Sequence, residues 1–120
     1  MIKEAYVSLE VAKLLKEKGF DIECKIAYYC DCLIDYTMFG FCGDEEFVFA
    51  PTQQMAMAWL REVHHIAINI GWGEVFEEQY RWWSIVLNMD NGDILYDENY
   101  QASYEESVET TLKYCLENLI

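Results

Sequence analysis

Residues 80–96, YRWWSIVLNMDNGDILY, contain the clearest fold signal in the chain. Runs rich in aromatic and β-branched residues lie at 80–89 and 94–96, and Asn91-Gly92 lies between them. Such runs are typical of β-strands. Asn-Gly supplies the positive φ angles that a type I′ turn requires, so the sequence predicts a β-hairpin with a two-residue turn at this point.

Alternation along residues 80–89 also predicts which side chains face the core, because neighbouring residues of a strand point to opposite faces. Trp83 shares its parity with Ile85 and Leu87, so we expect this set on the core face. Trp82 then lies on the outer face of the sheet.

Further segments alternate with the period of a strand. Residues 66–72 place isoleucine at every second position up to Trp72, which predicts a strand. Residues 25–39 also alternate, and they predict a strand with one buried face and a turn near Asp31. A short strand is expected at 47–49.

Three segments have apolar residues at helical spacing, and each begins at a capping residue. Ser8 precedes the first segment, Pro51-Thr52 opens the second, and Ser103 begins a capping box at the third. The second helix is expected to end near His64 or His65. The predicted core stripe of the second helix comprises Met55, Ala56, Trp59, Leu60 and Val63, and that of the third comprises Val108, Leu112, Cys115, Leu116 and Leu119.

The resulting order, αββαβββα, predicts an α+β fold over residues 1–120. We expect one antiparallel sheet of about five strands, with three helices packed mainly on one face. The chain has a single proline and no linker rich in glycine or serine, so a single domain is predicted.

The net charge of the chain excludes some classes of function. Asp and Glu number 22 against eight Lys and Arg, giving a formal net charge of −14. A protein that binds nucleic acid or an anionic membrane must supply basic residues, so direct binding of either is not expected. The acidity is compatible with a partner protein whose surface is basic. Hydrophobic residues make up 53% of the chain, which is enough for a folded core.

The N-terminal residues lack the pattern of a secretory signal, and no apolar run approaches 18 residues, so the sequence predicts a cytoplasmic protein. Cys24, Cys30, Cys32 and Cys42 lack the paired C-x2-C spacing of structural zinc sites. We expect buried free thiols, with Cys30 and Cys32 on the buried face of their strand and Cys115 on the last helix. Metal binding by the first four remains an alternative.

No motif in the sequence predicts catalysis or a cofactor. Phosphate-binding glycine loops and the nucleophile motif G-x-S-x-G are absent from the sequence. His64 and His65 are adjacent, so their side chains diverge and do not form the paired ligands of a zinc protease. We therefore expect a protein that is not an enzyme and needs no cofactor or metal. A small-ligand binder or enzyme, with a deep pocket holding His64, a cysteine or clustered carboxylates, remains an alternative.

The candidate functional surface combines carboxylates with aromatic side chains around the predicted hairpin. An exposed Trp82 beside Tyr80 has the character of a binding hot spot. The alternative is that Trp82 is covered by a loop at 73–79 or by the partner of a homodimer. The candidate partner-binding residues are Asp44, Glu45, Glu46, Glu74, Glu77, Glu78, Tyr80, Trp82, Asp90, Asp93, Asp97 and Glu98.

Three stretches resemble a family of small proteins encoded by phages and mobile elements of gut bacteria. They are residues 6–20, YVSLEVAKLLKEKGF; Ala50-Pro51-Thr52 leading to the WLREVH block at 59–64; and Tyr104-Glu105-Glu106 before the last helix. The resemblance implies a phage or mobile-element accessory protein and supplies no catalytic residues. It makes inhibition of a host protein by charge mimicry more attractive.

These observations favour a non-enzymatic acidic protein that binds a basic, nucleic-acid-binding host protein and inhibits it by mimicking nucleic-acid charge. The alternative is a self-associating structural module whose acidity confers only solubility.

Overall fold

The computed structural model describes residues 3–39, 47–97 and 100–120, with residues 38 and 39 described by their backbone alone. The helices are α1 (Leu9–Glu17), α2 (Tyr36–Phe39), α3 (Gln53–His64) and α4 (Tyr104–Asn118). The strands are β1 (Ile26–Tyr29), β2 (Cys32–Asp35), β3 (Val48–Phe49), β4 (Ile66–Phe76), β5 (Gln79–Asn88), β6 (Ile94–Tyr96) and β7 (Tyr100–Gln101).

The described strands form two antiparallel sheets, so the α+β class is confirmed and the single sheet of about five strands is wrong. The first sheet has the order β2-β1-β3. The second has the order β4-β5-β6, and β7 pairs with β5 beyond the end of β6. The segment 25–39, predicted as a strand, is divided by a two-residue turn after β1. The last part of this segment forms the single helical turn α2.

The predicted helix starts are confirmed by hydrogen bonds at their caps. Ser8 Oγ accepts from the backbone N–H of Val11 at 3.2 Å, and Thr52 Oγ1 accepts from that of Met55 at 3.2 Å. Ser103 Oγ accepts from the N–H of Glu106 at 3.1 Å. Each bond satisfies a donor that the first helical turn would otherwise leave without an intrahelical partner.

The core lies where α1, α3 and α4 meet one face of the second sheet. Val108, Leu112, Cys115 and Leu116 of α4 are buried as predicted, and Leu119 is partly buried. The stripe of α3 differs from the prediction. Its buried apolar residues are Ala56, Met57, Trp59 and Leu60, whereas Met55 and Val63 are exposed.

The two faces of β5 are the reverse of the prediction. Ser84 and Val86 are fully buried and face α4, while Trp83, Ile85 and Leu87 are only partly buried. The polar Ser84 was assigned to the outer face, but α4 provides a hydrogen-bond partner for it in the core. Thr111 Oγ1 lies 2.8 Å from Ser84 Oγ, within hydrogen-bonding distance.

The turns also differ from the sequence-based expectation. The loop between β5 and β6 has five residues, in which Gly92 alone has a positive φ and donates to Asn88 O at 2.7 Å. The two-residue turn with positive φ at both positions is instead Cys30-Asp31, between the paired residues Tyr29 and Cys32. The same geometry that Asn-Gly favours is adopted by a sequence with neither residue.

Residues 73–79 do not form the expected loop. β4 continues to Phe76, and the chain turns at Glu77 and Glu78 before β5 begins. Glu78 takes the positive φ of this turn, 59°. The β4–β5 hairpin is consequently longer than predicted.

Gly71 is required by the packing of Trp83, its direct partner across the hairpin. A Cβ on Gly71 would lie 2.0 Å from Trp83 Cζ2, so the indole ring occupies the space that any side chain would need. At Gly73 a Cβ would lie 3.8 Å from Trp83 Nε1, an ordinary contact. The indole therefore lies across the β4 backbone at Gly71.

We expect Gly71→Ala to lower the free energy of unfolding by about 1–3 kcal/mol, the usual cost of overpacking. Gly73→Ala is the matched control, since it adds the same methyl group two residues away and has room for it. Urea denaturation of both variants measures the difference. Equal stabilities for the two variants would contradict the packing of Trp83 on Gly71.

Candidate functional site

The β4–β5 hairpin is formed by the two longest strands of the described residues and carries the candidate site at its turn. Pairing runs from Ile66 opposite Asn88 to Phe76 opposite Gln79. A ten-residue strand spans about 30 Å, and the molecule is 54 Å along its longest axis. We call residues 72–81, the turn with the last paired residues on either side, the hairpin tip.

Three large aromatic side chains of the hairpin tip are exposed. Trp72 and Tyr80 stack with ring centroids 4.9 Å apart and an interplanar angle of 19°. Their exposed fractions are 58% and 48%, and that of Phe76 is 69%. The stack fixes the orientation of two rings before any partner arrives, which lowers the entropy that binding must remove.

Three exposed glutamates lie in the same tip as these rings. Glu74 Oε1 accepts from the backbone N–H of Glu78 at 2.8 Å, so one carboxylate closes over the turn. Glu77 and Glu78 lie in the turn itself and are exposed. Arg81 is the one basic residue of the hairpin tip, and its guanidinium donates to Tyr80 O at 2.9 Å. The tip therefore combines apolar area with net negative charge.

A small pocket lies beside the tip on the face of the sheet that bears Trp83. Its volume is about 320 Å³, and Glu74 and Asp97 line it together with Trp83 and Tyr100. Carboxylates and aromatic rings around one cavity suit a cationic side chain, which gains both ion pairing and contact with the ring faces. This arrangement joins two of the predicted acidic residues, Glu74 and Asp97, that are far apart in sequence.

The structure brings together only part of the predicted surface. Glu74, Glu77, Glu78 and Tyr80 lie together at the hairpin tip. Asp90 and Asp93 lie in the loop at the other end of β5, where Asp90 Oδ1 is 3.0 Å from His65 Nδ1. The remaining predicted residues Asp44, Glu45, Glu46 and Glu98 lie outside the described residues.

The predicted outward position of Trp82 is wrong. Its parity is that of Ser84 and Val86, so it lies on the face that α4 covers. The Trp82 ring packs edge-on against Tyr104 at the start of α4, with centroids 5.3 Å apart. Its role is to hold the sheet against the helix at the base of the tip.

Sequence reasoning missed Trp72 and Phe76 as candidate binding residues. Trp72 continues the isoleucine parity of β4, which predicts a core position. It is exposed because the strand extends past the helices that cover the start of that face. The signal that could have identified Trp72 is the length of the strand. When an alternating apolar strand is longer than the helices that pack on it, the residues at its far end are exposed to solvent.

The cysteines divide into two kinds. Cys24 and Cys115 are buried, and burial raises the pKa of both thiols, that of Cys115 to about 12. Cys30 and Cys32 are exposed, which corrects the prediction that they are buried. The turn at Cys30-Asp31 reverses the chain, so the parity of β1 does not continue through it. Cys42 lies outside the described residues.

Among the described residues, no group of three or more His, Cys, Asp or Glu side chains is arranged to hold a metal ion. His64 packs edge-on against Trp59, with ring centroids 4.8 Å apart. A groove of about 810 Å³ lies between α1 and the β1–β2 hairpin, lined in part by Lys13, Lys16 and Cys30.

In the described part of the chain, no helix has the length and apolar character needed to cross a membrane. Comparison with known proteins assigns no family: no protein-family model, no curated protein and no solved structure matches this chain. The functional argument therefore rests on the site itself.

We expect thiol reagents to distinguish the two kinds of cysteine in the folded protein. At pH 8 the reactive thiolate of Cys115 is scarce, since its pKa is about 12, and burial also blocks access to it. Cys30 and Cys32 should be alkylated first, and Cys24 and Cys115 only after denaturant is added. Mass spectrometry of the digested protein at successive times measures this order, and early labelling of Cys115 would contradict the packing of α4.

Proposed function

We propose that this protein is a non-enzymatic acidic binding protein whose hairpin tip docks onto a basic surface of a partner protein. The observation that carries the proposal is the exposed stack of Trp72 on Tyr80 in the same hairpin tip as the exposed residues Glu74, Glu77 and Glu78. A stable monomer has no folding reason to expose large rings at the end of a projecting hairpin.

The two kinds of side chain contribute to binding in different ways. Aromatic rings supply the buried area that most often dominates interface energy. The carboxylates act at longer range, because the net charge of −14 attracts a basic partner and raises its association rate. Together they favour a partner with basic residues around an apolar recess.

The pocket beside the tip supports a basic partner more directly. A lysine or arginine entering it would lie beside the acidic residues Glu74 and Asp97 and the aromatic residues Trp83 and Tyr100. Such a side chain satisfies both groups at once, whereas an acidic side chain would meet two like charges. The pocket thus favours one sign of charge in the partner.

In its finer form, the proposal is that the partner is a nucleic-acid-binding host protein, inhibited because the carboxylates occupy positions that phosphates would take. The strong net negative charge supports this form. The resemblance of residues 6–20 to phage and mobile-element proteins supplies its biological setting, and the site of action is then the cytoplasm.

Self-association is the second candidate function, and the outer face of the second sheet favours it. Ile94 and Tyr100 are exposed on the same face as the half-buried Trp83. A version that depends on Trp82 is disfavoured, since Tyr104 already packs against that ring. Sedimentation velocity of the wild type and of Tyr100→Ser tests this candidate function. Self-association through this face predicts an oligomer in the wild type and a monomer in the variant.

Removal of the stacked rings should weaken binding without unfolding the protein. We expect Trp72→Ser with Tyr80→Ser to raise the dissociation constant for a partner captured from host lysate about thirtyfold or more, because hot-spot aromatics contribute about 2 kcal/mol or more. Leu33→Ser is the matched control: Leu33 is similarly exposed, at 47%, but lies in the first sheet. Calorimetry measures all three proteins, and an equal loss in the control would contradict a site at the tip.

Charge removal at the tip should reduce both affinity and its dependence on salt. Glu77→Gln with Glu78→Gln removes two exposed charges from the tip, and Asp21→Asn with Glu23→Asn removes two from an exposed loop elsewhere. We expect the first pair to slow association severalfold at low ionic strength and the second pair to change it less. Stopped-flow association rates at ionic strengths of about 50 mM and about 300 mM measure the effect. Rates that are the same at both salt concentrations would exclude an electrostatic role.

A further inference from the structure

β4 is an edge strand of unusual length, and no described strand lies along its outer side, which we call the open edge. It has 11 residues and, among the described strands, pairs with β5 alone. Edge strands of this kind present a row of unused backbone donors and acceptors to any extended chain that approaches them.

The hydrogen-bonding register shows which residues present those groups. Met89 N donates to His65 O at 2.9 Å and lies opposite His65, so the two occupy a hydrogen-bonded position of the ladder, although the His65 N–H donates to Leu60 O instead. Such positions alternate along an antiparallel ladder. Odd-numbered residues of β4 therefore bond to β5, and the even-numbered residues Ile68, Ile70 and Trp72 direct their N–H and C=O groups away from it. No backbone partner for these three residues occurs in the described part of the chain.

From Ile66 to Gly73, β4 also lacks the side chains that usually protect an edge, and its one pairing irregularity is the bulge between Glu74 and Phe76. Natural sheets block edge pairing with proline, lysine or a charge directed inward. Between Ile66 and Phe76 the strand has no proline and no basic residue, and its one charged residue is Glu74. The strand is therefore chemically suited to accept another strand beside it.

The charge of the protein selects the occupant. Two copies carrying −14 each repel one another, which disfavours pairing of β4 with a second β4. The same charge attracts a basic chain, and Glu74, Glu77 and Glu78 lie at one end of the open edge. Beside the edge, Ile68 and Ile70 favour apolar side chains on one face of an added strand. The other face carries Asn69 and, over Gly71, the indole of Trp83.

From these observations we propose that the open edge of β4 binds an extended, positively charged peptide segment of the partner by β-strand addition. The segment alternates apolar and basic residues. It pairs with Ile68, Ile70 and Trp72 through backbone hydrogen bonds, while its basic side chains approach the carboxylates of the tip. This inference rests on the proposed function, since it specifies how a basic partner engages the same hairpin.

Two peptides of equal charge separate strand addition from simple charge attraction. The probe is an acetylated, amidated octapeptide of alternating lysine and valine. The comparison peptide carries N-methyl groups on its four central residues, so that both of its edges lose donors. We expect the methylated peptide to bind at least about tenfold more weakly by calorimetry, because it cannot complete the backbone ladder. Equal, salt-sensitive binding of the two peptides would overturn strand addition and leave the acidic binding function intact.

A matched pair of protein variants tests the edge from the other side. Ile70→Pro and Ile70→Ala both remove the isoleucine side chain, but only proline also removes the backbone N–H of residue 70, which points away from β5. We expect the alanine variant to bind the probe peptide within a few-fold of the wild type and the proline variant at least about tenfold more weakly. Circular dichroism establishes folding, and if the proline variant is unfolded, the two-peptide comparison with the wild type decides alone.

Two further outcomes would contradict the inference. If the wild type sediments as a dimer that Ile70→Pro dissociates, a second copy occupies the edge. If neither peptide binds at any salt concentration and the captured partner also fails to respond to the tip variants, the proposed function itself is wrong.

Discussion

The antiparallel pairing of β4 with β5 is the constraint on which the rest of the structure depends. One end of this ladder provides the face on which α4 packs, through the buried contact between Thr111 and Ser84. The other end projects beyond the helices. Because the two strands share one register, the position of every exposed ring at the tip is set by the residues buried at the base. The hydrophobic core thus determines where the candidate site lies.

Local signals in the sequence predicted the three longer helices, whereas the single turn α2 was predicted as strand. Capping at Ser8, Thr52 and Ser103 depends on residues three positions apart, and such short-range bonds form whatever the rest of the chain does. The end of α3 is likewise confirmed, with His65 in the left-handed conformation after the last turn. These features need no knowledge of tertiary packing.

Predictions that depended on tertiary packing were less successful. Parity along β5 identifies two faces but cannot tell which of them a distant helix will cover, and both faces of this strand carry large apolar residues. The buried face of β5 is the one on which α4 packs, where Thr111 forms a hydrogen bond with Ser84. The division into two sheets, the exposure of Cys30 and the gathering of Glu74 with Asp97 likewise follow from contacts between segments remote in sequence. Carboxylates counted along the chain predicted one acidic surface, whereas the hairpin separates Asp90 from Glu77 by about the length of a strand.

The projection of the hairpin beyond the helices has a consequence for how such a protein can evolve. Residues such as Phe76 and Glu77 contribute little to the buried core, so substitutions there change stability by small amounts. If the tip binds a partner as proposed, mutations that redirect recognition are therefore separated from mutations that endanger folding. A lineage that must follow a changing target can vary the tip freely while the base, from Ser84 to α4, stays fixed.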